Sequence, residues 1–257
     1  MLQLLHMSNC VFGRAIVVGA SSGMGAEIAR QLAAKGCRVA LVARREAELQ
    51  VVADRINAGV TEPVASLYAH DVRNFSEVPA LFQNICRDLG GLDVIFYAAG
   101  VMPRITDSEY SFDKDLAMIE VNVLGAIAWL NEAAQRFEAA QTGTIVGVSS
   151  VAGDRGRRGQ PVYCTSKAAL DTYLEALRNR VGRAGVHVVT IKPGPVDTPL
   201  VKGLDKLPML ISADDAAHQI IAASEKGRRI AYVPGKWRLV MAVIRSIPSP
   251  IFQKMNL

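Results

Sequence analysis

Tyr163 and Lys167, in the stretch YCTSK, set a phenol and an ammonium four residues apart. On a helix that spacing puts both groups on one face, within reach of a shared ligand. A free phenol ionises near pH 10, too high for a good base at neutral pH. A cation on the same face favours the phenolate, and a shift of about three units corresponds to about 4 kcal/mol. The pair could therefore move a proton at an oxygen, although taken alone it reads more simply as a surface Tyr beside a solvated Lys.

A second chemical feature is GASSGMG, with Gly19, Gly23 and Gly25 around Ser21, Ser22 and Met24. It follows an apolar run and opens an amphipathic one, so its free N–H groups and the positive end of the helix dipole can receive a pyrophosphate. A merely structural tight turn is the bland reading, but the strand-to-helix setting favours a dinucleotide. At the end of the second run, LVARREAEL places Ala43 where an acid would take a ribose 2′-OH, and Arg44 and Arg45 follow. Arginine suits a 2′-phosphate, and Ser21 or Ser22 could add a hydroxyl there. The expected cofactor is NADP(H), with NAD(H) as the second choice; solvated arginines beside Glu46 and Glu48 are the alternative.

Positioning these groups requires a scaffold, and the 257 residues, half of them apolar, suffice for one large core. Apolar runs at 14–19, 38–43, 64–70, 92–98, 143–149, 186–192 and 229–233 read as strands, and helical periodicity fills the intervals, including 23–35 and 46–57. The runs are nearly continuous Val, Ile and Ala, as expected when helices cover both sheet faces. The pattern predicts a single α/β Rossmann-type, doubly wound domain of about seven parallel strands over residues 14–234. Residues 1–13 read as a disordered lead-in, with Met7 as a second candidate start. The Pro- and Gly-broken stretch 193–211 reads as a substrate loop at the carboxyl ends of the strands.

In this order the chain resembles the short-chain dehydrogenase/reductase family over about residues 14–200. The resemblance rests on the GASSGMG turn, Asp71 in HDV, AAG at 98–100, Asn122, Ser150, Tyr163, Lys167 and PGPVDTP. It implies catalysis by Asn122, Ser150, Tyr163 and Lys167. Tyr163 would be the proton donor, and Lys167 would lower its pKa and bind the nicotinamide ribose. Ser150, thirteen residues before Tyr163 and preferred over Ser149, would bond the substrate oxygen. Asn122 would shape the central helix and hold a relay water. Asp71 and Val72 would hold adenine, Ala98, Ala99 and Gly100 the adenine ribose, and Pro193, Gly194, Val196 and Thr198 the nicotinamide end. Two motifs depart from the family pattern: in the first turn Val18 stands where Thr is usual, and in the fourth-strand motif Tyr97 and Ala98 replace the asparagines of N-N-A-G.

The resemblance implies an NADPH-dependent oxidoreductase acting on a carbonyl or secondary alcohol, with a 3-oxoacyl or 3-keto lipid as the suggested substrate. A nicotinamide-binding regulator or scaffold on the same fold is the alternative, and loss of Tyr163 or Lys167 would be its mark. A sugar-nucleotide epimerase would need a larger substrate domain. Family relatives suggest a homodimer or homotetramer.

The net charge of +5 is dispersed without a basic stripe, which argues against nucleic acid. Cys10, Cys37, Cys86 and Cys164 show no C-x-x-C pair, so a reducing, cytoplasmic setting fits. His6, His70, His187 and His218 are scattered, and no metal site is expected. Cys164 reads as a buried small hydrophobe rather than a redox thiol. Arg155, Arg157 and Arg158 are read as a solvated loop or as capture of an anionic substrate group. No stretch reads as long enough to span a bilayer. The tail 235–257 combines Trp237, Leu239, Val240, Met241, Val243, Ile244, Ile247, Ile251 and Phe252 with Lys and Arg. It is expected to pack on the domain, on a second copy, or peripherally on a membrane.

Overall fold

The computed structural model describes residues 11–204 and 207–255. Among these, seven strands form one parallel sheet: β1 (Arg14–Val18), β2 (Arg38–Ala43), β3 (Ala65–Ala69), β4 (Val94–Tyr97), β5 (Gly143–Val148), β6 (Val186–Pro193) and β7 (Ile230–Val233). Their order is β3-β2-β1-β4-β5-β6-β7. The chain therefore winds outward from β1 in one direction and from β4 in the other. A crevice opens at the carboxyl ends of β1 and β4, where the winding reverses.

One sheet face is covered by α1 (Gly23–Ala34), α2 (Glu46–Asn57) and α7 (Ala213–Glu225), which bury Ile28, Leu32, Leu49 and Ile220 against it. The other face carries α3 (Val78–Leu89), α5 (Gly125–Ala140) and α6 (Pro161–Val181), with Phe82, Trp129, Phe137 and Leu174 in the core. Each such fully buried side chain contributes about 1.5–3 kcal/mol by leaving water. The central strands are buried on both faces, hence their continuous apolar runs.

Three sequence expectations change. Phe12, assigned to the lead-in, is buried in the core, and the Gly13 N–H donates to Asp93 at 3.0 Å, so the domain begins before residue 14. Met1 to Cys10, including Met7, His6 and Cys10, lie outside the described residues. Pro193 closes β6, and Val196 bridges Ile211, so the loop after β6 is pinned at both ends. Finally, α4 (Phe112–Ile119), a π-helical stretch (Glu120–Leu124) and α5 run on as 29 residues, long and apolar enough by length and composition to cross a membrane. Met118, Trp129, Leu130 and Phe137 of this run are buried in the domain, whereas Phe112, Leu116 and Leu124 are exposed.

Candidate active site

The site is assembled from the carboxyl ends of β1, β4, β5 and β6. Gly19, directly after β1, has φ +93°, and a Cβ there would lie 2.5 Å from the Ala99 nitrogen. Only glycine lets the two turns touch. Gly25 likewise leaves room for α1 to meet the Gly19 carbonyl. The Thr normally found at position 18 is not needed to close the turn, because the Gly19 and Ala20 N–H groups donate to the Val42 carbonyl at 2.7 and 3.2 Å. Met24 packs on the core.

Ser21, Ser22 and Arg45 meet beside this turn. Arg45 Nη2 donates to both serine hydroxyl oxygens at 3.0 Å, and its guanidinium remains half exposed. Arg44 points instead to Asp71, 3.7 Å away. The Asp71 carboxylate also accepts from Arg73 at 2.7 Å, and that hydrogen bond holds its pKa below the usual range. Val72 is buried beside Gly125.

Asn122 sits in the π-helical stretch, where the widened turn carries it toward the crevice. Its Oδ1 accepts from the Val101 N–H at 2.8 Å, and its Nδ2 donates to the Val101 carbonyl and to Ser166 Oγ, both at 3.0 Å. Both amide hydrogens are thus committed to protein partners that join the turn after β4 to α6. Tyr97, in one of the two motifs that depart from the family pattern, braces the same stretch: its hydroxyl donates to the Val121 carbonyl at 2.6 Å. A Cβ on Gly100 would lie 3.4 Å from Asn122 Oδ1 and 3.5 Å from Lys167 Nζ, so the turn after β4, the widened helix and α6 converge at one point.

α6 begins with Pro161 in its first turn, which suits the proline ring, and presents Tyr163 and Lys167 inward. Lys167 Nζ lies 5.8 Å from the Tyr163 ring centroid and donates to the Val148 carbonyl at 3.0 Å. Ser149 and Ser150 follow β5 and point differently. Ser149 Oγ donates to the Lys167 carbonyl, whereas Ser150 Oγ accepts from the Ala152 N–H and hydrogen-bonds the Tyr163 phenol. Ser150 is therefore the serine on the tyrosine's side.

Burial dominates the titration of both reacting groups. It pushes the Tyr163 phenol up to about 12 despite the Ser150 hydrogen bond, and it brings Lys167 down to about 8 against the pull of Asp171. Desolvation is the largest influence on the phenol, which is therefore protonated at neutral pH.

The sequence reading missed a buried ionic cluster directly behind these residues. Lys192, on β6, contacts Asp154 and lies 2.9 Å from Asp171, while the Tyr232 hydroxyl donates to Asp154 at 2.8 Å. Burial opposes the charge on Lys192, but the two carboxylates prevail and raise its pKa. The cluster ties the 3-10 turn after Ser150 (Val151–Asp154) to α6 and to β6. The spacing Lys167 to Asp171, one helical turn, was the available signal.

Pro193 and Gly194 lead into the loop after β6, where Val196 is buried and the Thr198 methyl lies against Gly23. A side chain on Gly194 would collide with the Trp237 indole. Arg158 pairs with Asp107. Arg155 neither faces a substrate crevice nor stands in solvent: its Nη1 donates to the carbonyls of Ile244 and Ile247, both at 2.6 Å. Cys164 is buried, and burial raises its thiol pKa, as suits a packing residue. Among the described residues, no three His, Cys, Asp or Glu side chains gather as a metal site. A cleft of about 720 Å³ lies at the opposite end of the sheet, lined by Arg14, Asp93 and Arg136. A smaller one, about 390 Å³, adjoins Ser21, Ser22 and Gly23.

This donor set fits a nicotinamide dinucleotide: a glycine turn at a helix start, a guanidinium with two hydroxyls beside it, and a buried phenol and ammonium across the crevice. A family model described as short chain dehydrogenase matches residues 14–207. An uncharacterized oxidoreductase of Myxococcus xanthus is 32% identical over 249 residues, 96% of this chain and 97% of that protein. One from Staphylococcus saprophyticus is 34% identical over 186 residues, 72% of this chain and 79% of its own length. Among solved structures, ElxO with NADP bound superposes with a TM-score of 0.80 at 19% identity, covering 89% of this chain and all of that one. The structure of gox2181 gives 0.79 at 19% identity over 88% of this chain and 96% of that one. Both share the fold. Because the family match spans most of the chain and the site follows the same order along it, this protein belongs to the short chain dehydrogenase family and is an NAD(P)-dependent oxidoreductase.

Proposed function

We propose that the protein is an NADPH-dependent carbonyl reductase. The observation that carries the cofactor preference is Arg45, hydrogen-bonded to Ser21 and Ser22 at the end of β2, where Ala43 offers no carboxylate. A 2′-phosphate would accept from that guanidinium, and charge-assisted hydrogen bonds of this kind are the strong ones. Gly19, Ser21, Ser22, Gly23, Met24 and Gly25 would hold the pyrophosphate side. Arg44, Asp71, Val72, Ala98, Ala99 and Gly100 would hold the adenosine. Pro193, Gly194, Val196 and Thr198 would line the nicotinamide end.

NADPH, when bound, supplies hydride to the substrate carbon. The Tyr163 phenol, protonated at neutral pH, gives its proton to the carbonyl oxygen. The Ser150 hydroxyl donates to that oxygen as negative charge develops on it. The Lys167 ammonium holds the ribose and favours the phenolate left behind. Asn122 keeps the turn after β4 in register with α6. The substrate class proposed is a small carbonyl compound, with 3-oxoacyl or 3-keto lipids as the first to test.

Fluorescence titration with NADPH and NADH, followed by an NADPH-oxidation screen over ketones, 3-oxoacyl thioesters and 3-keto lipids, tests this reading. Tighter NADPH binding with turnover of a ketone is expected. Replacing Arg45 by Ala should weaken NADPH binding about tenfold or more while leaving NADH binding unchanged. Equal affinity for both cofactors in the wild type would remove the argument from Arg45. Binding without turnover across the whole screen would favour a regulator or scaffold.

A further inference from the structure

After Val233 the chain ends in α8 (Trp237–Ser246) and the short α9 (Ser249–Phe252). Residues 234–257 carry Lys236, Arg238, Arg245 and Lys254 and no Asp or Glu. The inner face of α8 buries Trp237 and Met241 on Val151, with Val240 and Ile244 packed around them. Its outer face leaves Leu239 74% and Val243 60% exposed, one turn apart, and Ile251 of α9 is 56% exposed. By helical periodicity Arg238 and Arg245 flank this ridge on one side and Lys236 on the other. The segment is no loose tail. Arg155 donates to the Ile244 and Ile247 carbonyls at the end of α8, and its guanidinium stacks 4.0 Å over the Phe252 ring.

We propose that α8 and α9 form an interfacial element that docks the protein on an anionic phospholipid surface. An apolar ridge edged only by cations is the composition that enters a headgroup layer, where lipid phosphates meet the flanking charges. Charge also argues against a second copy as the occupant, because a two-fold contact would set Arg238 and Arg245 near their own counterparts. Other exposed apolar residues at this end of the sheet, Tyr110 and Phe112, stand among Asp107, Asp113 and Asp115, so the turn after β4 lies outside the docking face. The face is coupled to the site at two points: Arg155 is five residues beyond Ser150, and Trp237 fills the space beside Gly194. Docking therefore fixes the crevice relative to the lipid surface. The proposal stands independently of the substrate and cofactor preference.

The test is co-sedimentation of the full chain with phosphatidylcholine vesicles and with the same vesicles containing phosphatidylglycerol. Binding to the anionic vesicles alone, reversed by high salt, is the expected result. The double variant L239E/V243E should lower the bound fraction at least about tenfold while melting like the wild type, since both side chains are exposed. R238Q/R245Q, which leaves the ridge intact, should weaken binding to anionic vesicles as well. Wild-type protein that stays in the supernatant with both vesicles, or variants that bind like the wild type, would overturn the proposal. So would light scattering in which L239E/V243E dissociates an oligomer that binds no vesicles, an outcome assigning the ridge to a second copy.

Discussion

At the scale of single residues, the chemistry depends on which protons are held at neutral pH. Tyr163, pushed up to about 12, is an acid throughout the working range, and Tyr163→Phe removes the donated proton without disturbing the packing. kcat for ketone reduction should fall at least about 10²-fold while NADPH binding, read by fluorescence, persists. Lys167 loses its charge as pH rises through about 8. Reduction needs the phenol protonated and the ammonium charged, so kcat/KM should be level below that pH and decline above it. Asp171 favours the charged form of Lys167 from one turn further along α6. Asp171→Asn should therefore move the declining limb to lower pH, and an unchanged limb would assign it to another group. Tyr163 and Lys167 were legible in the sequence because helical spacing alone puts them on one face. Their protonation was not, because desolvation depends on what covers the helix.

At the scale of elements, the least conventional residue of β4, its last, has a structural task. Tyr97 stands where the family carries Asn, and its hydroxyl holds the Val121 carbonyl within the widened helix. Gly125 provides the room, since a Cβ there would lie 2.5 Å from the Tyr97 hydroxyl oxygen. Gly125→Ala should destabilise the fold by about 1–3 kcal/mol, as overpacking a tight site does. Adding Tyr97→Phe should recover part of that loss, because it deletes the oxygen the new methyl meets. Denaturant unfolding of the two single variants and the double variant measures the coupling, and strictly additive effects would contradict it. The strands were readable almost residue by residue: β2 and α2 fall at 38–43 and 46–57, as the apolar run and the charged periodicity indicate. The π-helical stretch was not, because its extra residue leaves no mark in the hydrophobic pattern and is held by a hydrogen bond from another element.

At the scale of the whole molecule, the parallel sheet gathers the turn after each strand at one end, and the C-terminal helices close that end from the side. The protein is expected to assemble as a homodimer or homotetramer, as its family suggests. Light scattering should find that assembly unchanged in L239E/V243E, which separates it from the lipid-facing ridge. The sequence by itself determined the strand order in time, the phosphate-receiving turn, the arginines after β2 and the phenol–ammonium pair, because each is written in residues a few positions apart. Only the tertiary structure decided that Arg155 caps a helix about ninety residues away, that Lys192 lies between Asp154 and Asp171, and that Arg45 rather than Arg44 reaches the serines. Such partnerships join residues far apart in the chain, and their energetics depend on burial, which no local pattern encodes.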